Sequence, residues 1–308
     1  MKGRSIQIIC VIFLLILGAT ATQVSAAIST VGSNGEGNYT SIQEAVNNAQ
    51  NGDTILVSPG VYRENVNVNK EVAILSSADL SGDRINRTYV IGAVPTNDVF
   101  TIRSGNVTIS GFHIIGGPSG MDTYKEVGIY LEGVQNCSLI NNTMVLNDAG
   151  IGLNNSQRNF LYNNLIGLGS IGILLTGSSE NRLSNNEIVT NSEGILLDNS
   201  ANNTLMNNSL YMNGLGIYLN ASGNMIYMNR FSNFMNALDE GMNIWNSSSA
   251  GNLWDDYNGT DADGNGIGDT PYIVNATTGS IDYMPLANNV SSGGGQENMS
   301  GNNTGMPM

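Results

Sequence analysis

The sequence is poor in charge and in basic residues, and both shortages exclude classes of protein. Only 12% of the 308 residues are charged, about half the share of an average soluble domain and too few for a solvated helical bundle. Lys and Arg number 11 against 25 Asp and Glu, which gives a net charge of −14. Nothing in this balance attracts nucleic-acid phosphates or an anionic membrane. We therefore expect no nucleic-acid partner.

Cysteine is also scarce. Cys10 lies in an N-terminal segment in which two basic residues, an apolar run over 6–17 and small residues ending at Ala26 follow one another. This layout is typical of a secretory signal peptide, and the run is shorter than the ~20 residues of a spanning helix. We predict a signal peptide over 1–26, with an uncleaved anchor as the alternative, and no transmembrane domain after cleavage. Cys137 would then be the one remaining cysteine, so the exported chain would have no intramolecular disulfide.

Asparagine and glycine are abundant instead. Fifteen Asn-x-Ser/Thr sequons fit an exported glycoprotein. Five glycines are spaced by 22 residues, and each begins the phrase Gly-Ile-x-Leu: Gly128, Gly150, Gly172, Gly194 and Gly216. Because the Ile and Leu of each phrase are two residues apart, they lie on one face of a strand. A single 22-residue unit cannot bury such a face alone, so the units must stack.

A second regular feature is an Asn that recurs at one turn position. The series is Asn142, Asn164, Asn186, Asn208 and Asn229. Stacked coils would place these residues above one another in a ladder, and Asn also tolerates the left-handed conformation of such a turn. The sequence therefore predicts an all-β fold, a single-stranded right-handed parallel β-helix of about 22 residues per coil. A leucine-rich repeat is the competing solenoid, but the units contain few helix-forming residues.

Outside the regular coils the pattern changes. Ser41 begins a capping box followed by helically spaced apolar residues, which predicts a short N-terminal capping helix. We predict these divisions: signal peptide 1–26, β-helix domain 28–290, cap helix 40–50, regular coils 128–236, C-terminal cap 251–286 and disordered tail 291–308. Two loops, 76–88 and 116–127, interrupt the repeat, and loops on a solenoid wall commonly bind ligands.

Several stretches resemble one family. They are 42–46 (IQEAV), 52–55 (GDTI), 60–66 (GVYRENV), the 22-residue coils, 251–257 (GNLWDDY), 259–272 (GTDADGNGIGDTPY) and 282–286 (DYMPL). Together the chain resembles the NosD-type secreted right-handed parallel β-helix proteins with PbH1 repeats, in their archaeal surface-protein branch. The resemblance covers about 28–286. It implies a surface protein related to carbohydrate-binding and sugar-hydrolysing β-helices, and the family name refers to copper maturation of a periplasmic reductase.

The sequence contains few residues that could bind copper. Copper prefers imidazole or soft sulfur ligands, and after the predicted cleavage the chain offers one histidine, His113, one cysteine, Cys137, and scattered methionines, including Met299, Met306 and Met308. We do not expect bound copper, and a copper-binding or maturation role stays the further alternative.

Calcium has better support. Oxygen ligands recur with the spacing of positions 1, 3, 5, 7 and 9 of an EF-hand loop, at Asp261, Asp263, Asn265, Ile267 (through its carbonyl) and Asp269. Position 12 is Tyr272 rather than Glu, and no flanking helices are evident. We predict a structural Ca²⁺ site, with a solvated acidic turn as the alternative.

Tyrosines provide the candidate ligand surface. Tyr130 and Tyr218 share one position of the repeat, outside the apolar interior, and Tyr124 lies in the insertion loop. Aromatic rings beside amides suit sugar binding.

No set of catalytic residues is evident, because Glu132 and Asp198 would lie about 14 Å apart. We predict a secreted or cell-surface protein with a structural or carbohydrate-binding role and a polysaccharide partner. A β-helix polysaccharide lyase or hydrolase is the alternative, and the oligomeric state stays open.

Overall fold

Each regular 22-residue unit forms three short strands, one in each of three parallel sheets. The computed structural model describes residues 26–82, 86–116 and 126–287. The predicted signal peptide up to residue 25 and the predicted tail over 291–308 lie outside the described residues.

The strands of each sheet follow one another along the chain. Sheet A contains β1 (Ile28–Val31), β2 (Thr54–Val57), β5 (Ala73–Ser76), β8 (Thr108–Ser110), β11 (Ser138–Ile140), β14 (Phe160–Tyr162), β17 (Arg182–Ser184), β20 (Thr204–Met206) and β23 (Met225–Tyr227). Sheet B contains β3 (Gly60–Arg63), β6 (Thr88–Ile91), β9 (His113–Ile115), β12 (Thr143–Val145), β15 (Leu165–Gly167), β18 (Glu187–Val189), β21 (Ser209–Tyr211), β24 (Arg230–Ser232) and β26 (Leu253–Trp254). Sheet C contains β4 (Val66–Val68), β7 (Phe100–Ile102), β10 (Val127–Glu132), β13 (Ala149–Asn154), β16 (Ile171–Thr176), β19 (Glu193–Asp198), β22 (Leu215–Asn220) and β25 (Met235–Asp239).

The parallel β-helix expected from the sequence is confirmed, with about 22 residues per coil. The isoleucines of successive coils pair directly, as Ile129 with Ile151 and Ile151 with Ile173. These side chains are fully buried. Vertical stacks of like aliphatic residues therefore form the core, in place of the cross-links that the sequence lacks.

The periodic glycines have a steric cause. A Cβ atom on Gly172 would lie 2.4 Å from the carbonyl oxygen of Gly194, and one on Gly194 would lie equally close to that of Gly216. Neighbouring coils approach too closely at this point for any side chain. The 22-residue glycine spacing thus marks the contact line between coils.

The predicted asparagine ladder is present, but one part of the prediction is wrong. Asn164 is buried, and its Nδ2 donates to Oδ1 of Asn186 at 2.9 Å. The left-handed residue is its exposed predecessor, Asn163, with φ of 54°. Each turn pairs one left-handed residue with one inward residue, because only the reversed backbone turns the next side chain inward.

The coils contain three asparagine ladders rather than one. The second runs through Asn159, Asn181, Asn203, Asn224 and Asn243, and the third through Asn191, Asn213 and Asn233. In each ladder an inward asparagine donates its backbone N–H and its Nδ2 to the Oδ1 of the next coil. Neutral amides therefore satisfy the buried turns without introducing charge.

Both ends of the solenoid are covered. Helix α1 (Ile42–Asn48) is shorter than the predicted 40–50, buries Ile42, Ala45 and Val46, and is capped by the side chain of Ser41. A second helix, α2 (Ser77–Ser81), lies in the predicted loop over 76–88. At the other end an antiparallel hairpin, β27 (Tyr272–Asn275) and β28 (Ser280–Asp282), covers the last coil. Within the described part of the chain, no helix has the length and apolarity that crossing a membrane requires.

Candidate functional site

The predicted tyrosine column lies on the outer face of sheet C. Register pairing carries this column from Tyr130 through Gly152, Leu174 and Leu196 to Tyr218. The two tyrosines are therefore four strand spacings apart, about 19 Å. Tyr124, the third predicted ligand residue, lies outside the described residues.

The two tyrosines have different surroundings. A Cβ on Gly152 would lie 3.1 Å from a ring carbon of Tyr130, so this ring packs over the glycine. Tyr218 instead donates its hydroxyl to Oε2 of Glu240 at 2.8 Å. That hydrogen bond raises the pKa of Tyr218. On its other side Tyr130 pairs with Thr101, and Thr101 lines a polar cleft. Tyr218 lies at the opposite end of the column, away from this cleft.

The cleft beside Thr101 has a volume of about 370 Å³. One wall is the N-terminal part of sheet C and the other is the segment 92–99 between β6 and β7. Asn65 holds this segment in place, because its Nδ2 donates to the carbonyls of Asn97 and Asp98 at 3.0 and 2.9 Å. The lining is almost entirely polar: Asn65, Asn67, Thr96, Asn97, Asp98, Thr101 and Arg103.

Arg103 is the cation of this cleft. Its Nε donates to Oε2 of Glu132 at 2.7 Å, and its Nη1 donates to Oδ1 of Asn67 at 3.0 Å. Arg103 also lines a second polar cleft of about 340 Å³ that extends towards Gln135 and Gln157. The arginine therefore joins two polar clefts.

Asp98 is the half-buried carboxylate of the site. Its Oδ1 accepts from the backbone N–H of Val127 at 3.1 Å, and its Oδ2 accepts from the Thr101 hydroxyl at 3.3 Å. Burial raises the pKa of Asp98, and the nearby charge of Glu132 acts in the same direction. The site thus contains two carboxylates in different environments, since Glu132 is ion-paired and about half exposed.

Sequence reasoning named Tyr130 as a candidate ligand residue but did not identify the residues that line the neighbouring cleft, among them Asn67, Asp98, Thr101 and Arg103. The available signal was the aperiodic segment before Phe100, which interrupts the coil where a loop leaves the wall.

The predicted calcium loop brings two carboxylates together. Asp261 and Asp263 each accept through Oδ1 from the backbone N–H of Asn265, at 3.0 and 3.2 Å. Asp269 accepts elsewhere, from the Thr260 hydroxyl and the backbone N–H of Ala262. In the described ranges no three His, Cys, Asp or Glu side chains are grouped to hold a metal ion. Calcium stays a prediction that rests on two adjacent carboxylates, the Asn265 side chain and the Ile267 carbonyl.

The two candidate copper ligands lie in different places. Cys137 points inward in a ladder position, fully buried, and burial raises the pKa of its thiol to about 11. His113 lies on the outer face of sheet B beside Tyr89, in a cleft of about 320 Å³ with Asp79 and Arg87. These two residues therefore do not share a site. Met299, Met306 and Met308 lie outside the described residues.

The stacked sheets define a parallel β-helix protein, and polar clefts lie on its outer wall. The family described as periplasmic copper-binding protein (NosD) matches residues 46–259. This match covers more than half of the chain, so the chain belongs to the NosD family.

Two curated proteins match shorter parts of the chain. A cell surface glycoprotein of Methanothermus fervidus is 33% identical over 136 residues, 43% of this chain and 20% of that protein. A probable pectinesterase/pectinesterase inhibitor of Arabidopsis thaliana is 44% identical over 78 residues, 23% of this chain and 13% of that protein. The chain thus spans at most a fifth of the length of either relative.

Solved structures share the fold. Pectate lyase Pel9A aligns with a TM-score of 0.57 and 16% identity over 75% of this chain and 69% of its own. The DFA-IIIase of Arthrobacter chlorophenolicus A6 aligns with a TM-score of 0.51 and 16% identity over 71% of this chain and 62% of its own. At this identity the likeness concerns the fold alone.

Proposed function

We propose that this chain is a cell-surface β-helix protein that binds a neutral glycan in the cleft beside Tyr130. The surface location is supported by the cell surface glycoprotein relative and by the periplasmic description of the family. One observation carries the binding site: a polar cleft of about 370 Å³ is lined by Thr101, which pairs with Tyr130 on the neighbouring strand of sheet C.

The chemistry of the cleft favours sugar hydroxyls. Asn67 and Arg103 offer N–H donors, Asp98 and Thr101 offer oxygen acceptors, and the Tyr130 ring can pack against the apolar face of a pyranose. The net charge of −14 disfavours a polyanionic chain. A neutral polysaccharide is therefore the expected class.

The experiment is isothermal titration calorimetry of the full chain with oligosaccharides from a panel of neutral polysaccharides. Tyr130→Ala should weaken binding about tenfold, and Arg103→Gln should weaken it further, because Arg103 joins both clefts. Tyr162→Ala, on the outer face of sheet A, is the matched control. Tyr218→Ala measures whether the glycan reaches the far end of the column.

Two results would overturn the proposal. One is the absence of binding across the panel, and the other is equal affinity of the Tyr130 and Tyr162 variants. Melting temperatures of all variants should stay close to that of the parent, because the replaced side chains lie on the outer faces of the sheets.

A second candidate function is glycan cleavage. The observation that favours it is the difference between Asp98 and Glu132. Burial raises the pKa of Asp98, which suits a general acid, whereas Glu132 is ion-paired and about half exposed, which suits a charged carboxylate. Release of reducing sugar or of unsaturated product from a bound polysaccharide, abolished in both Asp98→Asn and Glu132→Gln, would establish catalysis. Binding without product release would leave the protein a binding module.

Calcium completes the proposal as a structural ion. Asp261 and Asp263 would hold it together with the Asn265 side chain and the Ile267 carbonyl. Its role would be to fix the loop 261–269 against the C-terminal cap, at a distance from the glycan cleft.

A further inference from the structure

The turns between sheets B and C break the rule that the other turns follow. Four successive coils each contain four left-handed residues, and at three of these four positions they are Asn, Gly or a charged residue, as in Asn163, Gly177 and Arg158; Met228, in the next coil, is the exception. At the turn between sheets B and C they are large or β-branched. We name this row the B–C ridge; it consists of Leu146, Leu168, Thr190 and Met212, with φ of 58°, 60°, 58° and 58°.

Folding alone does not explain the B–C ridge. A bulky or β-branched residue in the left-handed region costs about 1–2 kcal/mol, whereas Asn or Gly would occupy it readily. The side chains gain little from burial, since Leu146, Leu168 and Met212 are 60%, 56% and 71% exposed. The sequence therefore places apolar residues along a whole row where they are both strained and exposed to water, whereas elsewhere in the regular coils Met228 alone combines the two.

The ridge continues into largely apolar columns on both sides. The sheet B column contains Val145, Gly167, Val189 and Tyr211. The sheet C column contains Ala149, Ile171, Glu193 and Leu215. In the next coil Phe234 is 95% exposed and Met235 50% exposed. Five coils at about 4.8 Å and a strip about 20 Å wide give about 500 Å² per molecule, so two such strips just reach the ~1,000 Å² of a specific interface.

The sequons avoid this strip. Those of the regular coils lie beside the strands of sheet A, at Asn136, Asn141, Asn202 and Asn207, or at the ends of sheet C strands farthest from the ridge, at Asn154 and Asn220. None lies on the B–C ridge or its flanking columns. Glycans on these sequons would leave the strip uncovered.

We propose that the B–C ridge is the interface of a homodimer of this chain. A second copy is the partner that offers the same apolar row at the same coil spacing, as a two-fold interface requires. Two molecules of net charge −14 repel each other, so they can associate only through a weakly charged face. The strip contains no cation, and its carboxylates are Asp148 and Glu193. Oε2 of Glu193 is buried and accepts no hydrogen bond within the described residues.

Sedimentation velocity of the full chain over a micromolar concentration series tests the dimer. The chain offers a matched pair of variants, because Met212 and Met228 have the same φ of 58° but Met228 lies at the turn between sheets A and B. Met212→Asn should weaken dimerisation about tenfold, and Met228→Asn should leave it unchanged. The triple variant L146N/L168N/M212N should be monomeric at every concentration.

Thermal unfolding gives the second readout. Because Asn accepts the left-handed conformation, these variants should melt no lower than the parent when all are monomeric at low concentration.

Added salt should strengthen the parent dimer by screening the like charges. A parent that is monomeric up to about 500 μM, or a dimer that Met212→Asn and Met228→Asn weaken equally, would overturn the interface. Neither outcome bears on the glycan cleft, whose residues lie outside the ridge.

Discussion

The regular coils and the C-terminal cap satisfy their buried backbone groups in opposite ways. In the coils each inward asparagine donates to the next one, so that a neutral amide always follows a neutral amide. In the cap no further coil follows, and carboxylates accept the hydrogen bonds of the last asparagines. Asn252 ends the first ladder, and its backbone N–H and Nδ2 donate to Oδ2 of Asp282 at 2.7 and 3.3 Å.

The other two ladders end in the same way. Asn243 donates to Asp239 at 2.7 Å, and the third ladder passes through Asn236, which donates to Asp255 at 2.7 Å. A carboxylate only accepts, so it can close a row of donors without needing a further partner. The repeat therefore needs neutral amides to propagate and an acidic residue to stop.

The largest effect is expected where a ladder stops. Asp282→Ala leaves the backbone N–H groups of Asn252 and Met284 and the Trp254 indole N–H without their acceptor. Buried donors without an acceptor cost about 1–3 kcal/mol each, so we expect a loss of about 3–5 kcal/mol in the free energy of unfolding. Urea denaturation measures it. Asp263→Asn, an exposed acidic control in the same cap, should change stability by less than about 0.5 kcal/mol when the measurement is made without Ca²⁺.

A break within a ladder should cost less. Asn186→Ala removes the acceptor of the Asn164 amide and leaves the Leu161 carbonyl without its Nδ2 donor. We expect a loss of about 2–3 kcal/mol. The neighbouring Asn185→Gly keeps the left-handed turn and should cost less than about 0.5 kcal/mol. Equal losses for the two variants in urea denaturation would contradict the division between left-handed and inward residues.

Calcium should stabilise the cap and leave the coils unchanged. At ten times its Kd the ion would add about 1.4 kcal/mol to the free energy of unfolding. The double variant D261N/D263N should lose this gain, whereas Asp148→Asn, in the regular coils, should keep it. A calorimetric titration that shows neither heat nor a rise in melting temperature would remove the calcium prediction.

The smallest effect concerns pH, and its sign should differ between the two ends of the solenoid. Burial raises the pKa of Asp282 above its ordinary value of 3.8. The folded protein then binds this proton more tightly, so the stability difference between parent and Asp282→Asn should fall as pH rises from 3.8 through the raised pKa.

At the N-terminal end the direction is reversed. Hydrogen bonds from the backbone N–H groups of Gln50 and Ala27 lower the pKa of Asp53. Its contribution is present above pH 3.8 and should be lost as pH falls through the lowered pKa. Urea denaturation of parent, Asp53→Asn and Asp282→Asn between about pH 3 and 7 measures both trends. Parallel trends in the two variants would contradict this assignment.

Particular residues show how far sequence reasoning reached. The column of Ile129 to Ile217 and the ladder of Asn142 to Asn229 followed from spacing, because every coil repeats the same local environment. The left-handed position was misplaced by one residue, since Asn occupies both positions in most coils and composition cannot separate them. Tyr130 and Tyr218 were correctly placed in one column, but only the structure shows that Tyr130 lies one strand from the cleft residue Thr101.

By itself the sequence determined the coil: its length, its inward residues and the stacking of like on like, because a repeat of 22 residues fixes the register between neighbours. The tertiary structure decided the clefts, the ladder ends and the B–C ridge. Those features join residues such as Asp98 with Val127 or Asn252 with Asp282, 29 and 30 positions apart and outside the repeat. Their meeting depends on the path of the loops between them, which no period in the sequence encodes.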